Sequence, residues 1–205
     1  YTSEDAENTF PLFAPVQLGE KKSISPGLSY KTYDAGHMLG STSMILEADG
    51  LRLAFSGDVG RPGLPILRDP EPLEDPVDYL IMESTYGDRF HKPLAQAAET
   101  LADIVNRTAG RGGKIIVPAF AVGRTQQLVL LLHQLMDASR IPSLPIFVDS
   151  PLAVNATEVF RKHPECYDAE ARKFLTEGED PFGFHRLTYI RDVSESKKLN
   201  DLHGP

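Results

Sequence analysis

In the first half of the chain, apolar positions come in short, partly alternating runs broken by Gly, Pro and Asp, and such runs predict strands. Residues 28–33, 42–48 and 51–55 are three of them, and the last two are joined by Asp49-Gly50, a strong two-residue hairpin signal. A hairpin returns the chain to the end it left. The Asp34-Ala35-Gly36-His37-Met38-Leu39-Gly40-Ser41 stretch before this hairpin and Ser56-Gly57-Asp58 after it are therefore expected on one rim of a sheet. A Pro- and Gly-rich loop over 60–76 then leads into an apolar strand at 79–82.

Near Gly87 the grain changes. Pro93 suits a first helical position, and Leu94, Ala97, Ala98, Leu101, Ile104 and Val105 follow at helical spacing until the glycines of 110–113. Residues 115–117 predict a buried strand. Leu128, Leu131, Leu132, Leu135 and Met136 predict a second amphipathic helix, 146–148 a third short strand, and Pro151 opens a helix through Phe160. Strands alternating with helices indicate an α/β protein with a parallel sheet. The strands at 82, 117 and 148 all run into polar clusters, where helix N-termini would offer amides to a phosphate. A helix-like stretch over 3–9 opens the chain, and both ends read as cut from something longer.

Composition adds limits. The 205 residues are 41% hydrophobic, enough for a buried core, and the net charge of -8 with a pI near 5.2 argues against a generally basic, nucleic-acid-coating surface. A local cationic pocket stays compatible with that balance. The single Cys166 excludes an intramolecular disulfide framework and a cysteine-built zinc cluster. No apolar run approaches the roughly 20 residues of a membrane helix, so a soluble cytoplasmic protein is expected, or a nuclear one in a eukaryote.

His37 and Asp58 are the candidate metal ligands, since zinc accepts imidazole nitrogen and carboxylate oxygen. Two are too few, because a structural zinc site takes four protein ligands and a catalytic one about three plus water. Gly110-Arg111-Gly112-Gly113-Lys114 is not a nucleotide loop, because Lys114 precedes the strand and is followed by Ile115 instead of Ser or Thr. His133 lies on a helical pattern and reads as a partly buried or surface side chain. Arg124, at a loop-to-helix junction, is a candidate phosphate contact, its plain alternative being a solvent-facing salt bridge. Ser84, Thr85 and Ser150 are candidate hydroxyl donors to phosphate, and equally ordinary turn and cap residues.

The order of motifs resembles the β-CASP nucleases, a branch of the metallo-β-lactamase fold that includes RNase J-type enzymes and the endonuclease subunit of the pre-mRNA cleavage and polyadenylation complex. The resemblance is carried by Gly36-His37 with Gly40-Ser41, Ser56-Gly57-Asp58, and Glu83-Ser84-Thr85-Tyr86-Gly87. It continues through Pro118-Ala119-Phe120-Ala121-Val122-Gly123-Arg124-Thr125-Gln126, Asp149-Ser150-Pro151-Leu152-Ala153, and Pro181-Phe182-Gly183-Phe184.

The resemblance implies part of a metallo-β-lactamase αββα sandwich over 1–88, followed by part of a Rossmann-like β-CASP domain over 89–205. It further implies a di-zinc centre in which His37 is a ligand and Asp58 bridges both ions. Glu83 would be the acid that orients a later catalytic histidine. The family's His-x-His-x-Asp-His cluster and its late histidine motifs are not in this chain, and His91, His133, His163, His185 and His203 do not reproduce them. Reduced or absent zinc binding by this stretch alone is therefore expected. The implied activity of the intact parent is zinc-dependent phosphodiester hydrolysis, on RNA in preference to DNA. A homodimer or an RNA-processing complex is the implied assembly. A non-catalytic scaffold subunit and a small-molecule metallo-hydrolase are the competing readings.

Overall fold

The computed structural model describes residues 1–91 and 93–204. After a short helix α1 (Ser3–Glu7), capped by Thr2, five strands form one sheet in chain order. They are β1 (Lys21–Ser25), β2 (Leu28–Asp34), β3 (Thr42–Ala48), β4 (Leu51–Phe55) and β5 (Tyr79–Ile81). The first four run antiparallel and β5 lies parallel to β4. Asp49 and Gly50 both sit at positive φ, 49° and 84°, so the β3–β4 turn has the backbone twist that a two-residue hairpin needs. Tyr33, Ile45 and Ala54 are buried together beneath Leu73 and Val77 of the long loop.

Register fixes what shares an end. Asp34 pairs with Thr42, Met44 with Phe55, and Phe55 with Ile81. The loop leaving β2, the turn leaving β4 and the segment leaving β5 therefore emerge on one side of the sheet.

The second half contains α2 (Leu94–Gly110), α3 (Arg124–Asp137), β6 (Ile146–Asp149), α4 (Pro151–Lys162), α5 (Ala169–Thr176), β7 (Leu187–Ile190) and α6 (Val193–Lys198). Helices α2 and α3 pack through Ala102, Val105 and Leu135, with Ile141 from the segment after α3. A larger core gathers Val129, Leu130, Val148, Phe160, Tyr167 and Phe182. Ile66, from the long loop of the first half, is buried in that same core. Its amide donates to Asp168 Oδ2 at 2.9 Å and its carbonyl accepts from the Asp168 amide at 2.8 Å. Because Asp168 Oδ1 also caps α5 through the Ala171 amide, one carboxylate joins the two halves.

Two expectations are corrected. Residues 115–117 form no strand: Ile116 is 89% exposed and Val117 49% exposed, and no described segment pairs with them. An extended segment becomes a strand only when a neighbour takes its amides and carbonyls. The second correction follows from the first. The polar clusters after 82, 117 and 148 do not line one parallel sheet, because β5 belongs to the five-stranded sheet while β6 pairs in parallel with β7 in a separate two-stranded one. Strands β1 and β7 and helices α5 and α6 lay outside the sequence reading. Each is short, and the Lys-Lys-Ser-Ile-Ser of β1 carries a single apolar side chain.

Candidate functional site

The loop over 35–41 is closed by Ser41, whose hydroxyl oxygen accepts from the His37 and Met38 amides, both at 3.2 Å. The Ala35 amide donates to the Ser41 carbonyl at 3.1 Å, and the Gly36 amide to Asp34 Oδ1 at 2.9 Å. The loop that carries Asp58 is laid directly upon this one. The Gly60 amide donates to the Ala35 carbonyl at 2.7 Å, and a Cβ at Gly60 would stand 1.8 Å from the Gly36 carbonyl oxygen. Only glycine lets two backbones meet this closely.

Glu83 is tied to the same place by a relay of serines. Ser43 donates its hydroxyl to the buried Ser56 carbonyl at 2.7 Å, and Ser56 Oγ accepts the Glu83 amide at 3.0 Å. The Glu83 side chain then reaches back: Oε1 accepts the Val59 amide at 2.6 Å and Oε2 accepts the Thr85 hydroxyl at 2.9 Å. The Val59 amide, followed by the Thr85 hydroxyl, holds the Glu83 carboxyl below the usual carboxylate range against the opposing effect of burial. The nearby His37 ring acts in the same direction. Glu83 is thus an ionised, fixed carboxylate beside both candidate ligands.

His37 and Asp58 are both exposed, and neither side chain makes a hydrogen bond or ion pair among the described residues. One imidazole and one carboxylate, unclaimed and facing solvent from adjoining loops, fit a zinc ion in donor chemistry. They do not reach the three convergent donors that an ion needs: among the described residues the one group of three that could hold a metal lies elsewhere. The donors present amount to part of a ligand set.

Arg124 adjoins this rim. A Cβ at Gly123, the residue before it, would lie 3.8 Å from Met38 Cβ, so the start of α3 stands against the His37 loop. The Arg124 guanidinium is exposed and donates to Gln127 Oε1 at 3.1 Å, with no carboxylate partner among the described residues. The plain salt-bridge alternative is therefore not what the structure shows. The backbone there is less open than expected, because the Arg124, Thr125 and Gln127 amides already donate to the carbonyls of Val122, Phe120 and Gly123. Anion binding at this helix start falls to the side chain.

The hydroxyls divide. Ser84 is exposed with its hydroxyl unengaged among the described residues, whereas Thr85 spends its proton on Glu83. Ser150 caps α4 by accepting the Ala153 amide at 3.2 Å and has no hydrogen bond to the rim. The structure thus brings His37, Asp58, Glu83, Ser84 and Thr85 to one end of the sheet, sets Arg124 beside them, and leaves Ser150 one element away. Sequence reasoning quoted Ser41 and Ser56 only as members of motif stretches and did not read the roles of Ser41, Ser43, Ser56 and Gly60 in fixing the loops. It also missed the loop after Glu83, where Tyr86 stacks on His91 at 3.9 Å and Arg89 lies 4.6 Å from the Tyr86 ring centre. Gly60, directly following the Ser56 to Val59 segment, was the one local signal of a close backbone approach.

Comparison with known proteins finds similar sequences over nearly the whole chain. A model of the Beta-Casp domain matches residues 125–205. The chain is 31% identical over 202 residues to Ribonuclease TTHA0252 of Thermus thermophilus, a match covering 98% of this chain and 46% of that protein. It is 30% identical over 202 residues to the RNase J-like protein of Methanocaldococcus jannaschii, covering 98% and 47%. With Endoribonuclease YSH1 of Eremothecium gossypii it shares 30% identity over 200 residues, covering 95% and 26%. The chain spans about half the length, or less, of these curated relatives. Its fold is α/β, its residues 125–205 match the Beta-Casp domain, and over nearly its whole length the chain is similar to proteins named ribonuclease, RNase J-like protein and endoribonuclease.

Proposed function

We propose that the protein containing this chain is a zinc-dependent nuclease that hydrolyses phosphodiester bonds in RNA. The observation that carries this reading is the convergence of three loops at one end of the five-stranded sheet, placing the unclaimed His37 and Asp58 beside a fixed, ionised Glu83. The printed names of the similar proteins, ribonuclease, RNase J-like protein and endoribonuclease, support RNA over DNA as the substrate. In the same reading, 1–88 is a portion of the metallo-β-lactamase domain and 89–205 a portion of the β-CASP domain, whose matched stretch falls inside it.

His37 and Asp58 would hold zinc, an imidazole nitrogen and a carboxylate oxygen suiting that ion, together with further ligands that the rim does not supply. When bound, zinc supplies an acidified water and neutralises charge on the phosphoryl oxygens. The Arg124 guanidinium, unclaimed by any carboxylate among the described residues, grips two phosphate oxygens, and the Ser84 hydroxyl, unengaged among those residues, donates to the sugar-phosphate backbone. Glu83 stays ionised on its two donors and can hold an imidazole N–H in a fixed orientation. This chain alone supplies too few donors for a working centre.

The test is cleavage of end-labelled RNA and DNA by the full-length protein, with zinc content measured in parallel. The reading expects zinc in the protein, cleavage of RNA, and loss of cleavage in Asp58→Ala. Unchanged cleavage in that variant overturns the mechanism, and RNA binding without cleavage by the unaltered protein replaces it with the scaffold reading.

A further inference from the structure

We propose a second metal site, separate from the rim, in which His133, Asp137 and Glu179 bind one divalent cation of the zinc class where the ends of α3 and α5 meet. Ligand atoms of these three residues all lie within 4.8 Å of one another. His133 and Asp137 are spaced i,i+4 on the last turn of α3, which puts both on one face. His133 Nε2 stands 3.3 Å from Asp137 Oδ2. Two ligands bound at zinc distances in a tetrahedral shell are separated by about 3.4 Å, so this spacing is that of a coordination edge.

The imidazole is set in place before any ion arrives. His133 is 6% exposed, its ring stacks on Phe184 at 4.5 Å between centroids and lies 5.4 Å from Phe174, and its Nδ1 has no hydrogen-bond partner. Nε2 alone faces the carboxylates. Nε2, 3.3 Å from Asp137 Oδ2, is the ring nitrogen that would bind an ion, leaving the ring proton on Nδ1.

The backbone of Glu179 is fixed as well. Helix α5 ends in a turn in which Gly178 takes φ 79° and the Glu179 amide donates to the Phe174 carbonyl at 2.8 Å. This is the bonding of a Schellman cap, which fixes where the chain leaves the helix. The same Phe174 whose ring flanks His133 thus supplies the carbonyl that holds Glu179.

Charge completes the case. Neighbouring carboxylates have cations: Asp180 and Glu158 both pair with Arg161, and Glu177 pairs with Lys173. Asp137 faces only the His133 ring and Glu179 has no ion-pair partner among the described residues, and the last turn of α3 carries no basic side chain to answer the partial negative charge of its end. Two carboxylates and a helix C-terminus converge on the His133 ring with no Lys or Arg among the described residues to answer them. One nitrogen and two oxygens, with water completing the shell, suit zinc or a similar borderline ion. Such an ion would staple α3 to α5 and stabilise this half of the molecule by linkage.

The test uses the chain with His37→Ala and Asp58→Ala in place, which removes the rim donors, and titrates Zn2+ by calorimetry and Co2+ by visible absorption. One ion per chain should bind and raise the melting temperature. Glu179→Gln and Asp137→Asn, both at exposed positions, should keep the fold by circular dichroism and each weaken binding by at least the roughly 10- to 100-fold that even outer-shell changes cost. Absence of saturable binding overturns the proposal, as does binding whose affinity is unchanged in Glu179→Gln. Because the rim is disabled throughout, either result leaves the proposed function untouched.

Discussion

The rim built from loops 35–41 and 56–60 and the segment at 113–120 both join apolar runs to polar clusters, yet the first is bonded along its length and the second, among the described residues, only at its ends. At the rim, Gly60 donates to Ala35, Val59 to Glu83, and Ser43 to Ser56. At 115–117 Ile116 and Val117 stand in solvent, Ile115 packs partly against the α2–α3 core, and no strand pairs with the segment among the described residues. The difference is one of locality. A hairpin carries its own partner a few residues away, whereas a parallel strand depends on a neighbour contributed from far along the chain.

That comparison can be broken at either end. The largest effect is expected at Gly60→Ala, where the new Cβ would collide with the Gly36 carbonyl. Stability should fall by about 3 kcal/mol, the upper end of overpacking costs, measured by urea unfolding. In the helical half, Gln126 is 0% exposed and its amide nitrogen donates to Thr157 Oγ1 at 2.9 Å and the Ala121 carbonyl at 3.1 Å. Gln126→Ala should cost about 2 kcal/mol through lost bonds and packing, in the same assay. Ser43→Ala strands the buried Ser56 carbonyl and should cost about 1 kcal/mol.

A smaller effect is expected from acid. Glu83 is held below its unfolded pKa, so its contribution is full above the usual carboxylate range and is lost as pH falls through the depressed value. Glu83→Gln should therefore melt below the unaltered chain at pH 7, with the gap closing below about pH 4. If the gap widens on acidification, the assignment of Glu83 as an ionised anchor is wrong. The smallest change is expected at Ile116→Ser, within about 0.5 kcal/mol, because the side chain is already in water.

The same locality decided what the sequence made legible. Strands β3 and β4 and the turn between them follow from alternation and Asp49-Gly50, and hairpin geometry alone places His37 and Asp58 at one end. The role of Glu83 was not readable from that pattern, because its Val59 and Ser56 contacts depend on β5 lying parallel to β4 across the whole loop 60–76. Nor was the burial of Ile66 among side chains more than sixty residues later in the chain, or the use of the Thr85 hydroxyl on Glu83. Arg124 was found by type and position, but its freedom from carboxylates required the fold.

The most direct test is amide hydrogen exchange followed residue by residue. The Val59 and Gly60 amides, bonded to Glu83 and Ala35, should exchange as slowly as those of β3, while the amides of 115–117 should exchange at close to unfolded rates. Rapid exchange at Val59 and Gly60, or protection of 115–117 equal to that of β3, would contradict the account of a rim assembled within this chain.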